Sequence, residues 1–147
     1  MTAHTAEDPL ALEQQVCFAV VVAARSVVAL YKPVLEPLGL THPQYLVMLA
    51  LWQRTPQTAS QLSTVLALDP GTLSPLLKRL ETAGLVARER DTRDERQLAV
   101  RLTERGAALR AEAEKVPAAV AARLGMGLDE LAALRDDLTR VIKAAGG

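Results

Sequence analysis

Cys17 and Tyr31 are the side chains whose types suggest chemistry rather than packing. A thiol hydrogen-bonded by a phenol is stabilised as the thiolate, which attacks the weak O–O bond of a peroxide to give a sulfenic acid. The two lie fourteen residues apart in one apolar helical pattern. That spacing is about 21 Å along a helix, too far for contact within one chain, but close to four whole turns, which sets both on one face. Two copies crossing antiparallel about a two-fold near Ala23 and Ala24, whose small side chains allow close approach, would bring Cys17 to the partner's Tyr31. The two sulfurs would then stand about 21 Å apart, beyond disulfide reach. From residue type alone the competing reading is the commoner one: Cys17 as a small buried hydrophobe on an apolar helix face.

The elements around this pair set the next expectations. A helical pattern runs from Pro9 through Leu12, Val16, Val20, Ala23, Val27, Leu30 and Leu35, roughly seven to ten turns, apolar on nearly three sides from Phe18 to Leu30. Such a helix cannot stand against a single partner, so a second subunit is the expected cover. Met1 to Asp8 is polar and expected to be disordered. A helix from Pro43 to about Arg54 follows the Gly39-Leu40-Thr41-His42-Pro43 turn; its Tyr45, Leu46, Met48, Leu49 and Trp52, with Phe18 and Val21, could line an apolar pocket, with Trp52 assigned to the core. Thr103 to about Leu124 reads as a helix bent by Pro117 with Leu109, Val116 and Val120 inward, and Leu128, Leu131, Leu134, Leu138, Val141 and Ile142 mark a last amphipathic helix.

Between these lies a second kind of chemistry. Ala59 to Leu66 is a short helical pattern burying Leu62, Val65 and Leu66. Asp69 can cap the next helix, Pro70 suits its first position, and Gly84 sits where a helix ends left-handed. Leu73, Leu76 or Leu77, and Leu80 form its apolar stripe, leaving Thr72, Ser74, Pro75, Lys78 and Arg79 on a short, cationic face suited to the major groove. Pro75 argues that the hydrogen-bonded ladder begins close to it. Leu85 to Arg90 and Gln97 to Leu102 alternate as two antiparallel strands around Asp91-Thr92-Arg93-Asp94-Glu95-Arg96. Arg93 and Arg96 are assigned to DNA through the minor groove, and Asp94 to an ion pair that stiffens the turn. Helix, helix, strand, arginine-rich turn and strand is the order of a winged helix-turn-helix. An ordinary helical hairpin with a solvated charged loop is the plainer alternative.

The expected class is therefore mainly α with a small β-hairpin wing: one domain over 1–147, a winged helix-turn-helix over 43–103, and an intertwined dimer made by 9–36 and 104–145. Double-stranded DNA with a palindromic operator is the expected partner, the wings about one helical turn apart, roughly 34 Å. Formal net charge is zero, so any DNA-binding surface must be local. One cysteine and two histidines exclude an internal disulfide and give no zinc spacing, so neither metal nor cofactor is expected. No apolar run reads as long enough to span a membrane and no charged start precedes an apolar stretch, so a cytoplasmic location is expected.

Asp91-x-Arg93-Asp94-x-Arg96 followed by Val100-x-Leu102-Thr103-x-x-Gly106 resembles the wing signature of the MarR family of dimeric bacterial regulators. Leu12-Glu13-x-Gln15-x-Cys17-Phe18, Tyr31-Lys32-Pro33, Leu38-Gly39-Leu40-Thr41-x-Pro43-Gln44-Tyr45-Leu46-Val47-Met48 and Leu68-Asp69-x-Gly71-Thr72-Leu73 resemble its organic-hydroperoxide-sensing, OhrR-like branch. The resemblance implies a peroxide-sensing Cys17 and a peroxide-detoxification target gene. It also implies phenols at the positions of Tyr31 and His42 bonding the sulfur; His42 departs from that pattern, and Val21 replaces a further tyrosine of some relatives. His42 could donate a hydrogen bond to the thiolate or pair with it as a cation, or be a partly exposed turn histidine. With no second cysteine, a mixed disulfide with a low-molecular-weight thiol is the natural reversible end state. The function this implies is a repressor, not an enzyme, released from its operator when an organic hydroperoxide oxidises Cys17. A repressor answering a reversibly bound phenolic ligand is the alternative. A cysteine peroxidase using Cys17 and His42 would lack a resolving cysteine and leave the wing unexplained.

Overall fold

The computed structural model describes residues 8–146; the disorder expected for Met1 to Asp8 falls, up to residue 7, outside them. The first helix, α1, is Val16–Leu35 and not the longer one expected from Pro9. Gln15 is extended (φ −88°, ψ 125°) and its side-chain amide donates to the carbonyls of Pro9 and Ala11, so residues 12–14 form a separate 3-10 turn. At 20 residues α1 has between five and six turns, about 30 Å. Val16–Leu38 spans 23 residues and contains an 18-residue window of mean hydropathy 1.7, long and apolar enough by composition to cross a bilayer, which corrects the expectation that no run reaches that length.

Thr41 starts α2 (His42–Gln53) with a capping box: its hydroxyl accepts from the Gln44 amide, and the Gln44 side chain accepts from Thr41 N. The same device, Thr58 with Gln61, starts α3 (Ala59–Leu66) after a two-residue strand β1 (Gln57–Thr58). Ala67, left-handed at φ 53°, turns the chain into α4 (Pro70–Thr82). Asp69 caps α4 by accepting from Thr72 N at 2.8 Å, and Gly84, at φ +77°, follows its end. Pro75 lies inside α4; the hydrogen-bonded ladder begins close to it, with the Thr72 and Leu73 amides donating to the Asp69 carbonyl, and forgoes one bond at the proline.

Strands β2 (Val86–Arg90) and β3 (Leu98–Leu102) pair antiparallel, Val86 opposite Leu102 and Arg88 opposite Val100. The expected hairpin is a three-stranded sheet, because β1 adds to the free edge of β3 with Gln57 opposite Val100. A two-residue strand carries too little alternation to be seen in sequence. The helix expected from Thr103 to Leu124 is two, α5 (Glu104–Ala113) and α6 (Val116–Leu124), broken at Glu114–Lys115. Pro117 does not bend it; it occupies the first turn of α6, where its missing N–H is harmless. The last helix, α7, is Leu128–Ala144.

Leu35, Val47, Met48, Leu51, Leu62, Leu73, Leu80, Val86 and Val100 are fully buried between α2, α3, α4 and the sheet, with Val116 and Val120 of α6 closing the end. All four leucines of the α4 stripe are inside. Val65, expected inside, is 62% exposed: α3 ends one residue later, before anything covers that side. α1 is bare through most of its length, with Val16, Phe18, Val20, Val21, Val27 and Val28 exposed, and Leu134, Leu138, Val141 and Ile142 of α7 are exposed too.

Candidate nucleic-acid interface and redox site

α4 turns Ser74, Pro75, Lys78 and Arg79 to solvent, with Thr72 at its start. The Thr72 hydroxyl donates to the Asp69 carboxylate at 3.0 Å, so its proton is spent on the cap and only its lone pairs face outward. Those bonds, from the Thr72 amide first and its hydroxyl second, hold the Asp69 carboxyl below its ordinary range, fixing it as an anion at the positive helix end. Glu81, at the far end, accepts from two guanidinium nitrogens of Arg88 in β2, Nε and Nη2, and is likewise held low, chiefly by that guanidinium. Lys78 and Arg79 form no ion pair among the described residues.

The wing is tied to itself. Asp91 N donates to the Gln97 carbonyl and Gln97 N to that of Asp94. Asp94 Oδ1 accepts from Arg96 N at 3.0 Å and from Arg96 Nε at 3.3 Å, while Arg90 donates to the Glu95 carbonyl. Arg96 is therefore both a wing-tip cation, 92% exposed, and the ion-pair partner of Asp94. Arg93 lies on the opposite side, beside the start of α3.

The root of the wing explains the Thr103-x-x-Gly106 motif. The Thr103 hydroxyl donates to the Gly84 carbonyl at 2.6 Å and accepts from Gly106 N at 3.1 Å, joining the end of α4, the end of β3 and the start of α5. Gly106 is buried against Leu85, so close that a Cβ there would overlap the Leu85 carbonyl oxygen. Its own carbonyl accepts from Trp52 Nε1 at 2.8 Å, and Arg110 of α5 donates back to the Trp52 carbonyl at 3.2 Å. Trp52 thus packs on the core as expected, and it is also a strut from α2 to α5. The glycine's part could be read only from its motif.

Within one protomer the residues expected to form the redox site divide into two places. Cys17 is exposed near the start of α1. Tyr31 sits near the other end, where its ring meets His42 edge-on at 5.1 Å between centroids and Tyr45 at 5.9 Å. Tyr45 is a member of this cluster that the sequence reading placed only as pocket lining. Burial pushes the Tyr31 and Tyr45 phenols up, with the charge of Tyr31 adding to the rise at Tyr45, so both remain protonated donors. Burial pulls His42 below its ordinary 6.5, which makes it a neutral imidazole at neutral pH and leaves the neutral hydrogen-bond donor as the mode the protomer supports. The residues expected to line one apolar pocket, Tyr45, Leu46, Met48, Leu49, Trp52, Phe18 and Val21, divide between core and surface within the protomer. Tyr45 and Met48 are core, whereas Phe18 and Val21 lie on the bare face of α1. A groove of about 450 Å³ opens instead beside the rings, lined by Val28, Ala29, Lys32, Leu40, Thr41 and His42.

Two helices in sequence, the second exposed and cationic, followed by an arginine-rich hairpin on a small antiparallel sheet, define a winged-helix DNA-binding regulator. A family model described as Transcriptional regulator SarA/Rot matches residues 29–112. The HTH-type transcriptional regulator TtmR of Methylorubrum extorquens (strain PA1) is 45% identical over 132 residues, 90% of this chain and 68% of that protein. The organic hydroperoxide resistance transcriptional regulator of Bacillus subtilis (strain 168) is 42% identical over 113 residues, 77% of each. Reduced AbfR, a Staphylococcus epidermidis protein solved bound to DNA, superposes with a TM-score of 0.76 at 33% identity, covering 92% of this chain and 95% of that one. The chain belongs to the MarR family of transcriptional regulators, of the SarA/Rot type, and its relatives are regulators rather than enzymes.

Proposed function

We propose that the protein is a cytoplasmic homodimeric repressor that senses organic hydroperoxides through Cys17 and leaves a palindromic operator when that residue is oxidised. The observation that carries this reading is the separation of an exposed thiol from a partly buried imidazole–phenol–phenol cluster, His42, Tyr31 and Tyr45, along one bare apolar helix. A second α1 laid antiparallel across the first would cover that face and set each Cys17 beside the partner's Tyr31 and His42, with 9–36 and 104–145 making the dimer. Two protonated donors beside a sulfur favour its thiolate. Attack on a hydroperoxide ROOH breaks the O–O bond, transfers one oxygen to sulfur as the sulfenic acid and releases ROH. Condensation with a low-molecular-weight thiol then releases water and leaves a bulky mixed disulfide between the crossing helices, which have to shift.

At the other end, Ser74, Pro75, Lys78 and Arg79, with the lone pairs of Thr72, are the major-groove face; Arg93 and Arg96 are the wing cations, and Asp94 holds the wing in shape. The experiment is a gel shift on the natural upstream region with and without cumene hydroperoxide. Oxidant should release the wild-type dimer and leave Cys17→Ser bound. Release of Cys17→Ser by oxidant would remove Cys17 as the sensor, and release by a phenolic ligand without oxidant would favour the reversible-ligand alternative.

A further inference from the structure

A polar recess of about 300 Å³ lies where the end of α2, the start of α3 and the wing converge, lined by Arg54, Thr55, Thr58, Gln61, Asp91 and Arg93. Two arginines line it against one acidic residue, Asp91. Neither Arg54 nor Arg93 makes an ion pair among the described residues, whereas the neighbouring wing cations Arg90 and Arg96 are engaged with the Glu95 carbonyl and Asp94. The Arg54 backbone is held from beneath. Gln57, 5% exposed, donates from Nε2 to the carbonyls of Ala50 and Arg54, at 2.9 and 2.8 Å. The arginine therefore leaves α2 in an extended conformation (φ −152°) on a fixed base. On the facing side the Arg93 loop is closed by the Asp91–Gln97 and Gln97–Asp94 backbone bonds. In a helix-turn-helix the first helix crosses the nucleic-acid backbone while the second enters the groove, and here the start of that first helix, α3, forms one wall of the recess.

We infer that Arg54 and Arg93 form a two-armed clamp for one DNA backbone phosphate, seated between the first helix of the motif and the wing. This rests on the DNA-binding function and moves Arg93 from the minor groove to the backbone. A phosphate oxyanion suits the site because planar guanidiniums from two separate elements can each donate to it, and because the Thr58 and Gln61 side chains are already bonded to each other's amides and do not compete. A clamp of this kind positions the protein and reads no sequence.

The test uses the purified full-length dimer with its operator and with an unrelated duplex of equal length, titrated across salt. Neutralising both arms, Arg54→Gln with Arg93→Gln, should weaken both duplexes by the same factor, on the order of tenfold, and lower the slope of log affinity against log salt by about one. The charge-preserving pair Arg54→Lys with Arg93→Lys should keep the wild-type slope and serves as a control for folding. An unchanged slope in the glutamine pair, or a loss confined to the operator, would overturn the clamp. Failure of the wild-type dimer to bind either duplex would instead overturn the DNA-binding reading beneath it.

Discussion

Replacing Gly106 with alanine is the perturbation on which helix propensity and tertiary packing disagree in sign. Gly106 is the third residue of α5, where alanine should gain about 1 kcal/mol over glycine. Its Cβ, however, would overlap the Leu85 carbonyl oxygen, and that oxygen is pinned, since it also accepts from Thr103 N at 3.1 Å. Relief requires α5 to lift from the wing root, which stretches the Gly106 N to Thr103 bond and the Trp52 to Gly106 carbonyl bond. Overpacking costs about 1–3 kcal/mol and each weakened hydrogen bond about 0.5–1.5 kcal/mol. Against the propensity gain, the net expectation is a loss of about 2–3 kcal/mol, or roughly 5–10 °C in melting temperature for a chain of this size. Differential scanning calorimetry at fixed dimer concentration measures it, and operator affinity should fall in parallel because the wing root has moved. A variant as stable as wild type, or more so, would show that propensity governs the site and that the packing argument is wrong.

Two other substitutions probe separate links. Besides the oxidant-resistant repression expected of Cys17→Ser and the shallower salt slope expected of the Arg54 and Arg93 pair, Trp52→Phe keeps the ring but removes the Nε1 donor to the Gly106 carbonyl, and should cost about 1 kcal/mol in urea unfolding; no change would mean that a water takes over the bond. His42 titrates below its ordinary 6.5 when folded, so the unfolded chain binds the extra proton first and stability should fall as pH drops through about 6.5. His42→Gln should flatten that limb in thermal melts of the reduced dimer. The opposite slope, stability gained on acidification and lost again as pH rises, would identify an imidazolium paired with the Cys17 thiolate.

What could be read in advance follows from the range of each interaction. The α4 stripe, the Asp69 cap, the Gly84 terminus and the alternation of β2 and β3 are local signals, and each lies where the pattern placed it. Elements whose form depends on a distant partner were read less well. The apolar period continues through Leu12 and so predicts too long an α1, while the Gln15 side chain, bonded back to Pro9 and Ala11, ends the helix. β1 exists because β3 offers an edge, and Val65 is exposed because α3 stops beneath it. At the redox site, Cys17 and Tyr31 were legible as a spacing. Tyr45 was visible only as an apolar period, since its meeting with Tyr31 depends on how α2 docks on α1.

A chain of zero net charge can bind a polyanion because its acidic groups are spent locally. Asp69 closes a helix, Glu81 holds Arg88, Glu89 pairs with Arg101, and Asp94 shapes the wing through Arg96. Those four carboxylates are partnered within the winged-helix half, whereas Lys78, Arg79, Arg54 and Arg93 make no ion pair among the described residues. The consequence is a binding surface made of a few placed cations rather than a diffuse field. In the proposed dimer such a surface would lose affinity abruptly when the spacing of the two winged halves changes, because contacts at fixed positions fail together. In the dimer proposed above, a shift in the crossing of α1 against its partner would therefore be a sufficient switch: it need not alter a single side chain on the DNA face to make both faces miss their grooves at once.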